Sequence, residues 1–259
     1  MIAVIAIFTV LLSTANYAYG KHLTELPNYL VPCNVSDKPC LTRTLQNIFL
    51  QLKTGIPGIT NVTNIDLQES DKIQVILNQT DLIDVQVTLS KGIVLGLSDT
   101  EVQNPFYYEK RGTISFEMKF PKLRMMADYE MEGKILKYDV TGKNKFIMNL
   151  ENSDAQVKML TDLVTQDGEQ FFLVQDVKIK FGKIRRIQTF FKDLFKSNKS
   201  IEKEAEEEFK KHVRDLNRAI LPLVEESVRD ILKTIMRRVF RFIPVKYVFA
   251  NISHPSLEN

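Results

Sequence analysis

Residues 116–131 read FEMKFPKLRMMADYEM, and this stretch decides the fold. Phe116, Met118 and Phe120 alternate with charged residues up to Pro121. The alternation then resumes at Leu123, Met125, Ala127, Tyr129 and Met131. A period of two places all apolar side chains on one face of a β-strand and the charged ones on the other. The stretch therefore predicts strands with one apolar and one polar face.

The same period continues on both sides of this stretch. Alternating sets occupy residues 73–77, 83–89 and 93–97 before it, and 146–150 and 177–181 after it. The turn signals between the sets are Ser90-Lys91-Gly92, Asn104-Pro105, Gly133, Gly142 and Gln166-Asp167-Gly168. Successive strands with one apolar face each predict an antiparallel sheet, and that face needs a partner.

The C-terminal part has helical spacing and predicts this partner. The helical pattern begins at Ile184, Ile187 and Phe191, and its longest segment covers residues 201–242. Apolar residues recur there every three or four positions, at Leu216, Ile220, Val224, Val228, Ile231, Ile235, Val239 and Phe242. Pro222 predicts a kink or a new helix start near Leu221. The predicted fold class is α+β, a long curved antiparallel sheet wrapped around one long C-terminal helix.

The N-terminal residues predict export. Residues 2–12 form an apolar run, followed by small residues at Ala18 and Gly20. A membrane-spanning helix needs about 20 apolar residues, so this run is better explained as a signal peptide over residues 1–20. The remaining residues 21–259 contain no linker or repeat and predict a single domain in an extracellular, secreted protein.

Two cysteines, Cys33 and Cys40, precede a predicted amphipathic helix over residues 38–52. In a secreted chain such a pair predicts a disulfide. The alternative is a metal site, but zinc needs more ligands than two, and His22, His212 and His254 are scattered. Candidate N-glycosylation sites are Asn34, Asn61, Asn78, Asn198 and Asn251.

Residues that would indicate catalysis are missing from the sequence. There is no nucleophile elbow, phosphate loop, dinucleotide fingerprint or zinc-protease motif. His212 lies among Lys210, Lys211 and Arg214 and is interpreted as a surface histidine. The 35 basic residues nearly balance the 32 acidic ones, which argues against a nucleic-acid partner. We expect a monomeric, non-enzymatic protein without cofactor or metal.

Several short motifs resemble the takeout and juvenile-hormone-binding-protein family of insects. They are Leu30-Val31-Pro32-Cys33 with the gap to Cys40, Gly55-Ile56-Pro57, Phe120-Pro121-Lys122-Leu123, Tyr129, Gly133, residues 171–180, and Phe242-Ile243-Pro244-Val245. The resemblance covers nearly the whole chain after the signal peptide. It implies a sheet wrapped around a helix that encloses an apolar tunnel, related to the lipid-binding fold of bactericidal/permeability-increasing protein. It also implies a carrier of juvenile hormone or a similar lipid.

The resemblance and the strand pattern together suggest which residues line such a tunnel. The candidates are Phe116, Met118, Phe120, Met125, Tyr129, Met131, Phe146, Met148, Ile231 and Ile235. Flexible methionines suit an adaptable wall, and a tyrosine is expected to add one hydrogen bond to a ligand oxygen. A filled core produces the same sequence pattern, so the alternative of ordinary core residues stays open.

A second hypothesis assigns function to two basic runs. They are Lys178, Lys180, Lys183, Arg185 and Arg186, and then Arg237, Arg238, Arg241 and Lys246. Such runs can dock on an anionic membrane surface or on a receptor, although most are simply solvated faces.

Overall fold

The computed structural model describes residues 22–56, 64–79, 81–195 and 199–252. Its helices are α1 (Lys38–Gln51), α2 (Lys199–Lys211) and α3 (Val213–Phe242). Its strands are β1 (Glu69–Ser70), β2 (Ile73–Gln79), β3 (Ile83–Leu95), β4 (Glu101–Tyr108), β5 (Thr113–Ile135), β6 (Tyr138–Gln166) and β7 (Glu169–Phe191). The predicted helix over residues 38–52 is thus confirmed as α1.

All strand pairs are antiparallel, and β5 and β6 form the centre of the sheet. The order is β1-β3-β5-β6-β7, with β2 also paired to β3 and β4 to β5. β3 and β4 follow one another along the same side of β5: Leu95 lies opposite Arg124, and Glu101 lies opposite Lys119. The predicted α+β class with a long antiparallel sheet is confirmed.

The strands are fewer and longer than the turn signals predicted. Of the predicted turn signals, only Asp167-Gly168 forms a hairpin turn, between β6 and β7, whereas the β5–β6 hairpin turns at Leu136-Lys137. Lys91-Gly92 and Asn104-Pro105 are β-bulges inside β3 and β4, and Gly133 and Gly142 lie inside β5 and β6. A β-bulge contains the same residue types as a turn, but the strand continues through it. The local sequence therefore does not distinguish a bulge from a turn.

A line of irregularities crosses the sheet at Pro121. Proline has no backbone N–H, and here the neighbouring strand is interrupted between β3 and β4. The line continues through Asn152 of β6, at φ 48°, to a register shift at Gly182-Lys183 of β7. At this level the alternation of buried and exposed side chains is broken: two successive outward residues occur on β5, at Pro121-Lys122, and on β6, at Glu151-Asn152. Such features bend strands and increase their twist, which accounts for the curvature.

Helix α3 joins the two edges of the curved sheet. On β7, Glu225 accepts the Phe181 N–H at 3.0 Å, and Arg237 donates to the Val174 and Gln175 carbonyls at 2.8 Å each. At the other edge, Asp230 accepts the Asp71 N–H at 2.7 Å. An uncovered edge strand exposes unpaired backbone groups, and these polar helix side chains satisfy them. The sheet therefore closes around α3, as the sequence predicted.

Two predictions for the C-terminal part are wrong. Ile184, Ile187 and Phe191 belong to β7, where Ile187 pairs with Leu150 and Phe191 with Phe146. The register shift at Gly182 interrupts the alternation of apolar and polar residues in β7. The apolar residues that follow are therefore three and four positions apart, which is the spacing expected of a helix.

The predicted single long helix is two helices, which separate at His212; no new helix starts near Pro222, and a kink there stays a prediction. Pro222 lies inside α3, although it removes one helical hydrogen bond. Its neighbours Leu223 and Val224 are fully buried, and this packing holds the helix across the proline.

The predicted disulfide Cys33–Cys40 is present. It links the start of α1, where Asp37 caps the helix by accepting the Cys40 N–H, to Cys33 in the segment that precedes the helix. Cys33 donates its N–H to the Val248 carbonyl and accepts the Ala250 N–H, both at 2.9 Å. None of the helices within the described ranges is long and apolar enough to cross a membrane.

Candidate ligand-binding interior

The inner face of the sheet and the buried face of α3 form one apolar cluster. All ten candidate lining residues belong to it, and each is less than 5% exposed: Phe116, Met118, Phe120, Met125, Tyr129, Met131, Phe146, Met148, Ile231 and Ile235. The structure therefore brings together the residues that the sequence singled out. Their role as ligand contacts stays a prediction.

Methionines give this interior an adaptable surface. Met125 lies directly opposite Met148 across β5 and β6, and both are about 1% exposed or less. Met159 and Met236 are buried in the same cluster but are not among the ten candidates; Met236 belongs to the predicted apolar stripe of the C-terminal helix, and the strand period identifies Met159. Met126, the neighbour of Met125, is half-buried on the opposite, outer face. Unbranched thioether side chains rearrange more easily than branched ones.

Tyr129 is the largest fully buried polar candidate, and its hydroxyl is already engaged. It donates to the Lys192 carbonyl at 2.6 Å, and the ring packs edge-on against Phe191 at 5.1 Å between centroids. Gly142 leaves room for it, since a Cβ there would lie 2.6 Å from the hydroxyl. The expectation that a tyrosine donates to a ligand therefore does not apply to Tyr129 in this arrangement.

Burial, together with the negative charge of Asp193, raises the pKa of Tyr129 to about 12. In the unfolded chain a tyrosine titrates near 10, so unfolding releases a proton above that pH. The stability linked to the protonated phenol is complete below pH 10 and is lost as pH rises towards 12.

We expect Tyr129→Phe to lower the free energy of unfolding by about 1 kcal/mol at pH 8, because one hydrogen bond is lost. At pH 11 the difference from the wild type should shrink to near zero, because the wild type alone loses about 1.4 kcal/mol per pH unit from this group. Urea unfolding at both pH values measures the two differences. A difference that stays constant with pH would contradict this assignment.

The larger described cavities lie on the outer face of the sheet. Two polar ones, of about 340 and 410 Å³, share Lys72, Thr88, Glu130 and Lys143. An apolar crevice of about 10 Å³ lies between α1 and β4, lined by Leu41, Tyr107 and Phe249 among others. At that crevice the side chains are closely packed, so a terpenoid-sized ligand needs side-chain rearrangement to pass there.

Cations of both basic runs are paired within the fold, including Arg186, which lies 3.7 Å from Glu151. Arg237 binds backbone carbonyls of β7, Lys246 pairs with Glu169, and Lys180 pairs with Glu225 at 3.2 Å. The charges of these three side chains are thus already bound to partners within the protein. Lys178 and Lys183 are exposed, and no ion pair involves them within the described part of the chain.

Three of the predicted glycosylation sites, Asn34, Asn78 and Asn251, are exposed, whereas Asn61 and Asn198 lie outside the described residues. His212 lies 3.6 Å from Glu208 on the surface of the C-terminal helices. No group of three His, Cys, Asp or Glu side chains that would suit a metal ion occurs within the ranges that the structure covers.

A curved antiparallel sheet closed by a long helix around an apolar interior is the fold of Takeout. The crystal structure of Epiphyas postvittana Takeout 1 matches with a TM-score of 0.71 and 18% sequence identity, over 85% of this chain and 99% of that one. The family model of haemolymph juvenile hormone binding protein (JHBP) matches residues 6–250. The chain belongs to this family, as its motifs predicted.

Two relatives show a similar level of sequence identity to this chain. The "Circadian clock-controlled protein daywake" of Drosophila yakuba and that of Drosophila melanogaster are each 20% identical over 236 residues. The alignments cover 86% of this chain and 88% of each relative.

Proposed function

We propose that this chain is a secreted, non-enzymatic carrier of a small apolar ligand, such as juvenile hormone, another terpenoid or a fatty-acid-like lipid. The ligand binds in a tunnel between the inner face of the sheet and α3. The observation that carries the proposal is the continuous apolar inner face, with Met118, Met125, Met131 and Met148 on β5 and β6. Membership of a family named for binding a hormone supports it.

The energetics permit such binding without a charged contact. Burying about 400 Å² of ligand surface at roughly 25 cal/mol per Å² yields about 10 kcal/mol. The loss of translational and rotational freedom takes back at least about 4 kcal/mol. The remaining free energy, at most about 6 kcal/mol, corresponds to a dissociation constant of tens of micromolar, and any cost of opening the interior weakens the binding further.

Export is part of the proposal. The predicted signal peptide over residues 1–20, the disulfide and the exposed sequon asparagines all fit an extracellular protein. A carrier in an aqueous secretion must shield its ligand from water, and an interior closed by α3 suits that task.

We expect the protein to take up the apolar fluorophore N-phenyl-1-naphthylamine, and a terpenoid methyl ester to displace it. Uptake should not depend on salt, because no charged side chain is needed. Met125→Gln should weaken uptake about tenfold or more, since it places an amide in the apolar interior. Met126→Gln is the matched control on the outer face and should leave uptake unchanged.

Circular dichroism must show that both variants keep the wild-type fold at the assay temperature. Equal uptake by the two variants would contradict an interior site. A terpenoid ester recovered chemically unchanged after long incubation is expected of a carrier, and its hydrolysis would indicate an esterase instead.

A second candidate function is docking on an anionic membrane surface through the first basic run. The observation that favours it is that Lys178 lies directly opposite Lys158 on the exposed face, because like charges in this position are unfavourable without an anionic partner. Binding to phosphatidylserine vesicles that falls with salt, without uptake of the fluorophore, would favour this function over the carrier.

A further inference from the structure

Three buried serine hydroxyls interrupt the apolar interior. Ser227 of α3 is 0% exposed, Ser153 of β6 is 3% exposed and Ser70 of β1 is 7% exposed. None of the three has a hydrogen-bond partner among the described residues. An unpaired buried hydroxyl is costly, and most buried polar groups in proteins avoid that cost.

The other fully buried polar residues in the described ranges do have partners, although the Tyr29 hydroxyl and Arg229 Nε, which belong to half-buried residues, lack one. Thr44 donates to the Val31 carbonyl, Ser98 donates to Asp66, and Thr161 donates to the Gly112 carbonyl, at 2.7–2.8 Å. Thr100 and Asn217 are likewise hydrogen-bonded. The three serines are therefore exceptions within this fold.

Contacts along α3 place Ser227 at the middle of the interior. Two residues before it, Glu225 binds the Phe181 N–H of β7, and three residues after it, Asp230 binds the Asp71 N–H beside Ser70. Three helical residues span only about 4.5 Å. Along α3, Ser227 thus lies between Glu225 and Asp230, the two residues through which the helix contacts the two edges of the sheet.

Ser153 lies at the same level of the sheet. The ring of Phe181 contacts that of Phe120 at 5.8 Å between centroids, and Phe120 is the cross-strand partner of Ser153. This level coincides with the bend at Pro121 and Asn152. The bend, Ser153 and the α3 contact of Phe181 therefore belong to one cross-section of the molecule.

We infer that Ser153 and Ser227 hydrogen-bond an oxygen atom of the bound ligand, whereas the Ser70 hydroxyl lies against Gly92 of β3, beside Ala127 of β5, away from this cross-section. This inference rests on the proposed carrier function and narrows its ligand class. No charged side chain is among the buried residues of the described chain. Neutral hydroxyls do not offset the cost of burying an ionised carboxylate, so the ligand oxygen belongs to a neutral group such as an ester, ketone or alcohol.

The test compares three ligands of similar chain length, methyl laurate, tridecane and laurate, by displacement of N-phenyl-1-naphthylamine at pH 8. Ser227→Ala should weaken methyl laurate about tenfold, the usual effect of losing one hydrogen bond. It should leave the affinity for tridecane unchanged. Ser153→Ala should act in the same direction, and the outer-face control Ser115→Ala should change neither affinity. In wild-type protein, laurate should bind more weakly than methyl laurate.

Stability separates a ligand contact from a structural role. Because the Ser227 hydroxyl has no protein partner, Ser227→Ala should not lower the melting temperature of the ligand-free protein. Equal effects on methyl laurate and tridecane, no effect on either, or tighter binding of laurate than of methyl laurate would each overturn the inference. If wild-type protein binds none of the three ligands, the carrier function itself fails.

Discussion

Replacing Gly96 by alanine is expected to lower the free energy of unfolding by about 2–5 kcal/mol. Gly96 has φ 94°, and a Cβ there would lie 2.1 Å from the Lys122 carbonyl oxygen. The left-handed conformation alone costs about 1–2 kcal/mol for a residue with a side chain. The clash adds about 1–3 kcal/mol, because Lys122 is held in the ladder opposite Glu151 and cannot move freely.

Gly168→Ala provides the matched control. Gly168 also has a positive φ, 79°, but nothing lies within 4 Å of a Cβ built there. Only the conformational cost of about 1–2 kcal/mol is then expected. Urea unfolding followed by circular dichroism measures both variants. Equal destabilisation would show that the close approach of β5 to the end of β3 is not as tight as described.

Removing the disulfide by replacing both Cys33 and Cys40 with serine is expected to cost about 2–3 kcal/mol. The chain-entropy model assigns about this amount to a closed loop of this size. The bridge joins α1 to a segment whose backbone binds Val248 and Ala250. Without it, the start of α1 loses its cross-link to Cys33, and the backbone hydrogen bonds of Cys33 to the C-terminal segment are less firmly anchored.

The variant should melt at a lower temperature than the oxidised wild type and at the same temperature with or without dithiothreitol. Reduced wild-type protein should approach the variant. If reduction leaves the melting temperature of the wild type unchanged, the disulfide contributes nothing measurable to stability.

Elements with a regular period were predictable. The alternation in residues 116–120 and 123–131 identifies the inner face of β5, and the stripe on residues 216–242 identifies the buried face of α3. The pairing of Cys33 with Cys40 followed from the predicted export and from the spacing of the two residues. Each of these signals depends on neighbours in sequence, and burial on one face imposes the period.

Irregular positions were not predictable in the same way. Lys91-Gly92 and Asn104-Pro105 look like turns but are bulges, because the long partner strand β5 pairs on both sides of each. The segment from Ile184 to Phe191 looks helical but is held as a strand by β6. In each position the distant partner strand outweighs the local preference.

The class of fold, the apolar face of each regular element, the disulfide and the family motifs could be predicted, because these depend on residue type and spacing along the chain. The folded structure was needed to find that Tyr129 donates to the Lys192 carbonyl, that Arg237 covers the edge of β7, and that Ser227 has no partner among the described residues. The physical reason is that a hydrogen bond depends on which groups meet after folding. Tyr129 and Lys192 are 63 residues apart, so the sequence near either residue does not predict their hydrogen bond.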